Sequence, residues 1–93
     1  MRVISNKVLV DFAGRHPRAH APLQAWRKLI ESTTFRGFAD LKRTFNHVDK
    51  VDDFVVFDIA GNHFRIIAAI HVNTHMLFVR HVFTHREYDA WRP

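Results

Sequence analysis

The hydrophobic period of this chain changes at Phe54, and that change limits the folds open to it. From there the chain reads as three strands: Phe54 to Ile59, His63 to Val72 and His75 to Phe83. Gly61-Asn62 and Asn73-Thr74 lie between them as turns. Strands joined by connections this short pair as an antiparallel meander. Before Phe54 the apolar residues follow a helical period instead. Val3-Ile4 reads as a short strand, and Ser5 as the cap of a helix over roughly residues 6–15. Val8, Leu9, Phe12 and Ala13 share one face of that helix. His16-Pro17 ends it, because the residue before proline avoids helical geometry. A second helix runs from about Arg18 to Ser32, with Leu23, Trp26, Leu29 and Ile30 on its apolar face. Gly37 breaks the chain, and Phe38 to Phe45 forms one helical turn or two. The expected class is α+β. Two N-terminal helices pack on one face of a small antiparallel sheet, a short C-terminal helical turn follows, and residues 1–93 form a single domain.

Register sharpens the sheet. With Asn73-Thr74 as a two-residue hairpin loop, Arg65 faces Val82 and Ile67 faces Arg80. Arg65 and Arg80 are then diagonal neighbours on one face, roughly 5–8 Å apart at Cβ. A turn at Ala60-Gly61 or Gly61-Asn62 brings Asp58 to the same face. The other face collects Val55, Phe57, Ile59, Phe64, Ile66, Ala68, Ile70, Leu77, Val79 and Phe83, which the helices should cover.

The segment after the last strand carries the densest chemistry. Thr84-His85-Arg86-Glu87 fits a capping box, and on the plainer reading it only starts a helical turn. Such a turn also brings His85 close to Tyr88 and Asp89 by i,i+3 and i,i+4 spacing, and a helix start offers N–H groups to an anion. Imidazole is suited to proton transfer near neutral pH, and guanidinium groups bind phosphate bidentately. The plainer reading of Arg65 and Arg80 pairs them with Asp58 and the carboxylates of the tail.

Charge adds a partner class. The net charge is +5, and residues 1–50 hold ten Lys and Arg against four Asp and Glu. A basic surface attracts nucleic acid, acidic membrane or an acidic protein. Lys42, Arg43 and Lys50, just before the sheet, are either solvated or phosphate contacts. No cysteine is present, so thiol chemistry and disulfides are excluded. The longest aliphatic run, Ile66 to Ile70, is too short to span a bilayer, and the N-terminal residues lack the apolar core of a signal peptide, so a cytoplasmic location is expected. His71 and His75, like His81 and His85, have spacings that suggest metal. On a strand, however, such a pair sits about 13 Å apart, so no metal site is expected. Trp26 and the phenylalanines read as core.

The run Val56 to Arg65, with Gly61-Asn62-His63-Phe64-Arg65 inside it, and the run Val79 to Asp89, with Arg80 and Thr84-His85-Arg86-Glu87-Tyr88-Asp89, together resemble the HigB-type toxins. These belong to the RelE-like superfamily of bacterial type II toxin–antitoxin modules, and the resemblance covers nearly the whole chain. It implies an endoribonuclease that cuts mRNA engaged by the ribosome without metal or cofactor. The substrate's own 2′-hydroxyl would attack the adjacent phosphate. It also implies a cognate helix-turn-helix antitoxin, through which alone operator DNA would be reached. By matched position, Arg65 and Arg80 would hold the scissile phosphate, His85 would transfer protons and Tyr88 would orient the nucleotide. Asp89 completes the motif and, with Lys42, Arg43 and Lys50, would contact RNA. Asp58 stands where the family usually has Asn, and Phe83 where Gly is common. The rival reading is a non-catalytic module of the same fold that binds antitoxin or RNA.

Overall fold

Leu9 and Phe12 on the first helix, and Leu23, Trp26 and Ile30 on the second, fall at the i, i+3, i+4 and i+7 spacings that put them on one face. In the computed structural model, which covers residues 1–93, all five are buried against a sheet. The elements run in the order β1 (Arg2–Ile4), α1 (Asn6–Arg15), a 3-10 turn (Pro17–Ala19), α2 (His20–Glu31), α3 (Phe38–Thr44), β2 (Asp49–Val51), β3 (Phe54–Ile59), β4 (Phe64–His71), β5 (Met76–Thr84) and α4 (His85–Ala90). The five strands lie in the order β1-β5-β4-β3-β2. The meander β3-β4-β5 forms the antiparallel centre, as its short connections require. β1 joins its edge parallel to β5, so the whole sheet is mixed. β2, which the apolar pattern does not announce, adds an antiparallel edge through the Asp52-Asp53 turn. The α+β class, with α1 and α2 layered on one face, is the expected one.

The helix-covered face carries Val55, Phe57 and Ile59 from β3, Ile66 and Ala68 from β4, and Leu77, Val79 and Val82 from β5. Each fully buried side chain of this kind contributes about 1.5–3 kcal/mol from apolar area removed from water. Three details depart from the expected pattern. Leu29 stays 42% exposed, because α2 turns only Leu23, Trp26 and Ile30 inward. Ser5 makes no side-chain cap bond, since it sits at φ 75, and its carbonyl instead accepts from Val8 N–H. The third is in β5. From the hairpin inward the pairs are His71 with Met76, Ile70 with Leu77, Ala69 with Phe78 and Ala68 with Val79, the anticipated register. A β-bulge then intervenes, and Ile67 pairs with His81 and Arg65 with Phe83. One inserted residue, Arg80, reverses the faces of all that follow. Val82 therefore enters the core, and Phe83 leaves the face on which it was expected.

Truncating Ile66, which is fully buried, to Ala is expected to cost about 2–5 kcal/mol in urea unfolding. Leu29→Ala should change stability by no more than about 0.5 kcal/mol. Equal losses at the two positions would contradict this assignment of faces.

Candidate active site

β3 and β4 place Asp58 directly opposite Arg65 on the face away from α1 and α2. Asp58 Oδ1 lies 2.9 Å from Arg65 Nε, and the arginine is only 7% exposed. A cation so enclosed must have partners on every side. Nη1 donates to the carbonyls of Asn62 at 2.9 Å and Phe64 at 3.2 Å. The Asn62 carbonyl faces inward because Ala60, Gly61 and Asn62 all take left-handed backbone angles, φ 55, 57 and 79. Glycine and asparagine accept that region readily, and alanine does so at some cost in strain. Nη2 lies 3.2 Å from His85 Nδ1. Of the five N–H groups of a guanidinium, both on Nη1 are bonded to carbonyls, Nε sits against the Asp58 carboxylate, and one on Nη2 has no partner beyond the contact to His85.

That contact defines the state of His85. A guanidinium only donates, so a hydrogen bond here requires Nδ1 as the acceptor and the ring proton on Nε2. Nε2 in turn lies 3.3 Å from Asp89 Oδ2, one helical turn on. The imidazole is thus held between a buried cation and an exposed carboxylate, while its own side chain remains 57% exposed to incoming molecules. The Thr84 capping box fixes the ring's backbone. Thr84 Oγ1 accepts from Glu87 N–H at 3.2 Å, and Glu87 Oε1 accepts from Thr84 N–H at 2.8 Å. His85 N–H donates to the His63 carbonyl at 3.1 Å, tying α4 to the β3–β4 turn. These bonds consume the N–H groups of Thr84, His85 and Glu87, so the helix start does not present an open anion nest as its sequence suggested. Tyr88 lies with its ring 5.5 Å from the Arg65 guanidinium carbon, a cation–π distance.

The other expected site residues are placed differently. Arg80 was expected beside Arg65. The bulge sets it an extra residue away, where its guanidinium covers the Phe78 ring at 5.6 Å and makes no ion pair. Lys42 Nζ donates to the Val48 carbonyl at 3.0 Å and so closes the loop after α3. Arg43 pairs with Asp40 at 3.0 Å. Lys50 faces Val55 across the β2–β3 ladder, on the helix-covered side and away from Arg65. The histidines do not converge into a metal-binding group with other His, Asp or Glu side chains.

Asp58, which the turn register put on the face of Arg65 and the plainer reading paired with it, is the anchor of that arginine. One feature was not legible beforehand as part of the site. Trp91, just past α4, lies over an aromatic shelf, with its ring centre 5.8 Å from Phe54, 6.1 Å from Phe83, 6.2 Å from His81 and 6.0 Å from Tyr88. Its i,i+3 spacing from Tyr88 was the available signal. Beside Asp58 an open cleft of about 330 Å3 is walled by Asn46, His47, Gly61 and Asn62, with Phe45 and Phe57 behind.

Comparison with known proteins converges on one family. Residues 19–91 match the model of the HigB toxin, described as the RelE-like toxic component of a toxin–antitoxin system. The chain is 32% identical over 92 residues to the mRNA interferase toxin HigB of Escherichia coli (strain K12), covering 96% of this chain and 88% of that one. The mRNA interferase HigB of Shigella flexneri matches to the same extent, and that of Escherichia coli O6:H1 is 28% identical, covering 96% of this chain and 89% of its own.

Removing the anchor should expose its role. Asp58→Ala leaves the enclosed Arg65 guanidinium without its counter-charge and is expected to cost about 3 kcal/mol in chemical unfolding. Asp58→Asn keeps an oxygen acceptor and should cost about 1 kcal/mol. Indistinguishable losses in the two variants would mean that only the carboxylate charge matters and that a neutral oxygen cannot replace it.

Proposed function

The chain belongs to the HigB family of RelE-like toxins, and from that membership we propose that it is an mRNA interferase centred on Arg65 and His85. A family of toxic components of toxin–antitoxin systems implies a cognate antitoxin as partner. In this reading the antitoxin is a helix-turn-helix protein that alone reaches operator DNA, and the substrate is mRNA held on the ribosome in the cytoplasm.

The observation that carries the proposal is the 3.2 Å contact between Arg65 Nη2 and His85 Nδ1, backed by Asp89 at Nε2. A phosphate oxygen arriving at the unengaged Nη2 proton, and displacing the histidine contact, frees the Nδ1 lone pair. The ribose 2′-hydroxyl next to that phosphate then lies within reach of Nδ1. His85 takes the 2′ proton as general base, the 2′-oxygen bonds to phosphorus, and the 5′-oxygen departs. Asp89 stabilises the imidazolium that forms, the role a carboxylate plays behind a catalytic histidine. Arg65 meets the charge that develops on the phosphorane. Tyr88 orients the nucleotide, and we assign its phenol to protonating the leaving 5′-oxygen. Arg80 remains on the path of the strand as a second phosphate contact, and Lys42, Arg43 and Lys50 serve at most as peripheral ones. The products are a 2′,3′-cyclic phosphate and a 5′-hydroxyl. No metal or cofactor takes part in these steps.

His85→Ala should lower the rate of message cleavage by about 10²–10⁴-fold and restore growth on induced expression. Arg65→Lys keeps the charge but loses the planar fork, and should likewise relieve toxicity. Circular dichroism confirms that each variant folds. Cleavage and growth arrest at the wild-type level in both folded variants would support the rival reading, a binding module without catalysis.

A further inference from the structure

We propose that the corner built from the end of α1, the 3-10 turn and the β3–β4 turn binds the sugar–phosphate backbone of single-stranded RNA leading away from the active site. Arg15 and Arg18 are the principal contacts. The inference rests on the reading of RNA as substrate, and it locates a binding surface on residues not assigned to that role above.

Two stretches of the chain lack acids altogether. No Asp or Glu occurs between Asp11 and Glu31, and none between Asp58 and Glu87. Folding brings them together. Phe12 meets Phe64 edge-to-face at 5.6 Å, and His16 stacks on Phe12 at 4.5 Å and lies 6.2 Å from Phe64. His63 lies 6.3 Å from Phe64 on the sheet side. The Arg15 guanidinium carbon is 5.8 Å from the Phe12 ring centre. Arg15, His16 and His63 therefore surround one aromatic pair, and Arg18 follows on the 3-10 turn. The His63 carbonyl also holds His85 N–H, so this corner is continuous with the candidate active site.

Half of the other cations of the N-terminal half are already engaged. Lys7 pairs with Asp11, Arg27 with Glu31 and Arg43 with Asp40, while Lys42 donates to a carbonyl. Arg15 and Arg18 are exposed and have neither an acid nor a carbonyl partner. A surface with fixed positive charge, whose one neighbouring acid, Asp11, is already held by Lys7, is suited to phosphates. An acidic protein would fit less well, because interface cores need apolar anchors. The exposed large apolar side chains, Val10, Leu29 and Phe38, are not part of the corner.

The test is fluorescence anisotropy with a labelled, 2′-O-methylated single-stranded RNA, which resists 2′-hydroxyl attack, titrated across a salt series. Arg15→Ser/Arg18→Ser should weaken binding for every RNA sequence and flatten the salt slope by about 1.4, the value for two lost contacts on a single strand. Lys28→Ser/Arg36→Ser, which removes the same net charge from exposed side chains elsewhere, should leave the slope unchanged. Cleavage by the Arg15/Arg18 variant should show a raised KM with kcat retained. An unchanged slope and KM in that variant, with His85-dependent cleavage intact, overturns the corner while sparing the nuclease reading. Loss of antitoxin binding with RNA binding retained makes the corner a protein-docking surface and also overturns it. Absence of His85-dependent cleavage in the wild type removes the nuclease reading on which the inference rests.

Discussion

A guanidinium buried to 7% exposure organises this molecule's open face. Arg65 is tolerable there only because Asp58 meets it across the ladder and the β3–β4 turn presents the Asn62 carbonyl to it. Those contacts leave Nη2 directed at α4, where it fixes which nitrogen of His85 carries the proton. The chain of dependence runs outward from there, from His85 to Asp89, and from the Arg65 guanidinium to the Tyr88 ring. The arginine is therefore both a structural member and the proposed phosphate ligand. Its geometry is set before any substrate arrives, which lowers the cost of organising the site during reaction.

Much of the fold was legible because the two hydrophobic periods do not overlap. The bounds of β3 follow from its sequence alone, and the hairpin register holds from His71/Met76 to Ala68/Val79. It fails at Arg80 for a physical reason. β5 is apolar at Leu77, Phe78, Val79, Val82 and Phe83, so alternation cannot tell which of these face the helices. One bulged residue exchanges Val82 and Phe83 without violating the pattern. β1 and β2 are three residues each, too short to show a period, and their pairing partners are decided by tertiary packing.

Legibility of the site divides along the same line. The nearness of His85 to Asp89 was available from helical spacing, and the capping box from its four residues. The contact between Arg65 and His85, twenty residues apart, was not, since it depends on how α4 folds back across β4. The basic residues before the sheet illustrate the opposite case. Lys42 and Arg43 looked free in sequence, yet both are engaged locally, and Lys50 is carried to the far face by strand parity. Charge counting finds cations, but only packing reveals which of them remain available, and Arg15 and Arg18 are among those that do.

In the proposed mechanism His85 and Arg65 direct the substrate's own 2′-hydroxyl at its phosphate. The most direct test is the chemistry of the ends produced when translating ribosomes are given this protein and a message with a single 2′-deoxy sugar at a mapped cleavage position. Attack by the 2′-hydroxyl gives 2′,3′-cyclic phosphate and 5′-hydroxyl ends on unmodified message, and no cleavage at the deoxy position. Cleavage that persists at the deoxy sugar, or ends bearing a 5′-phosphate and a 3′-hydroxyl, would contradict it.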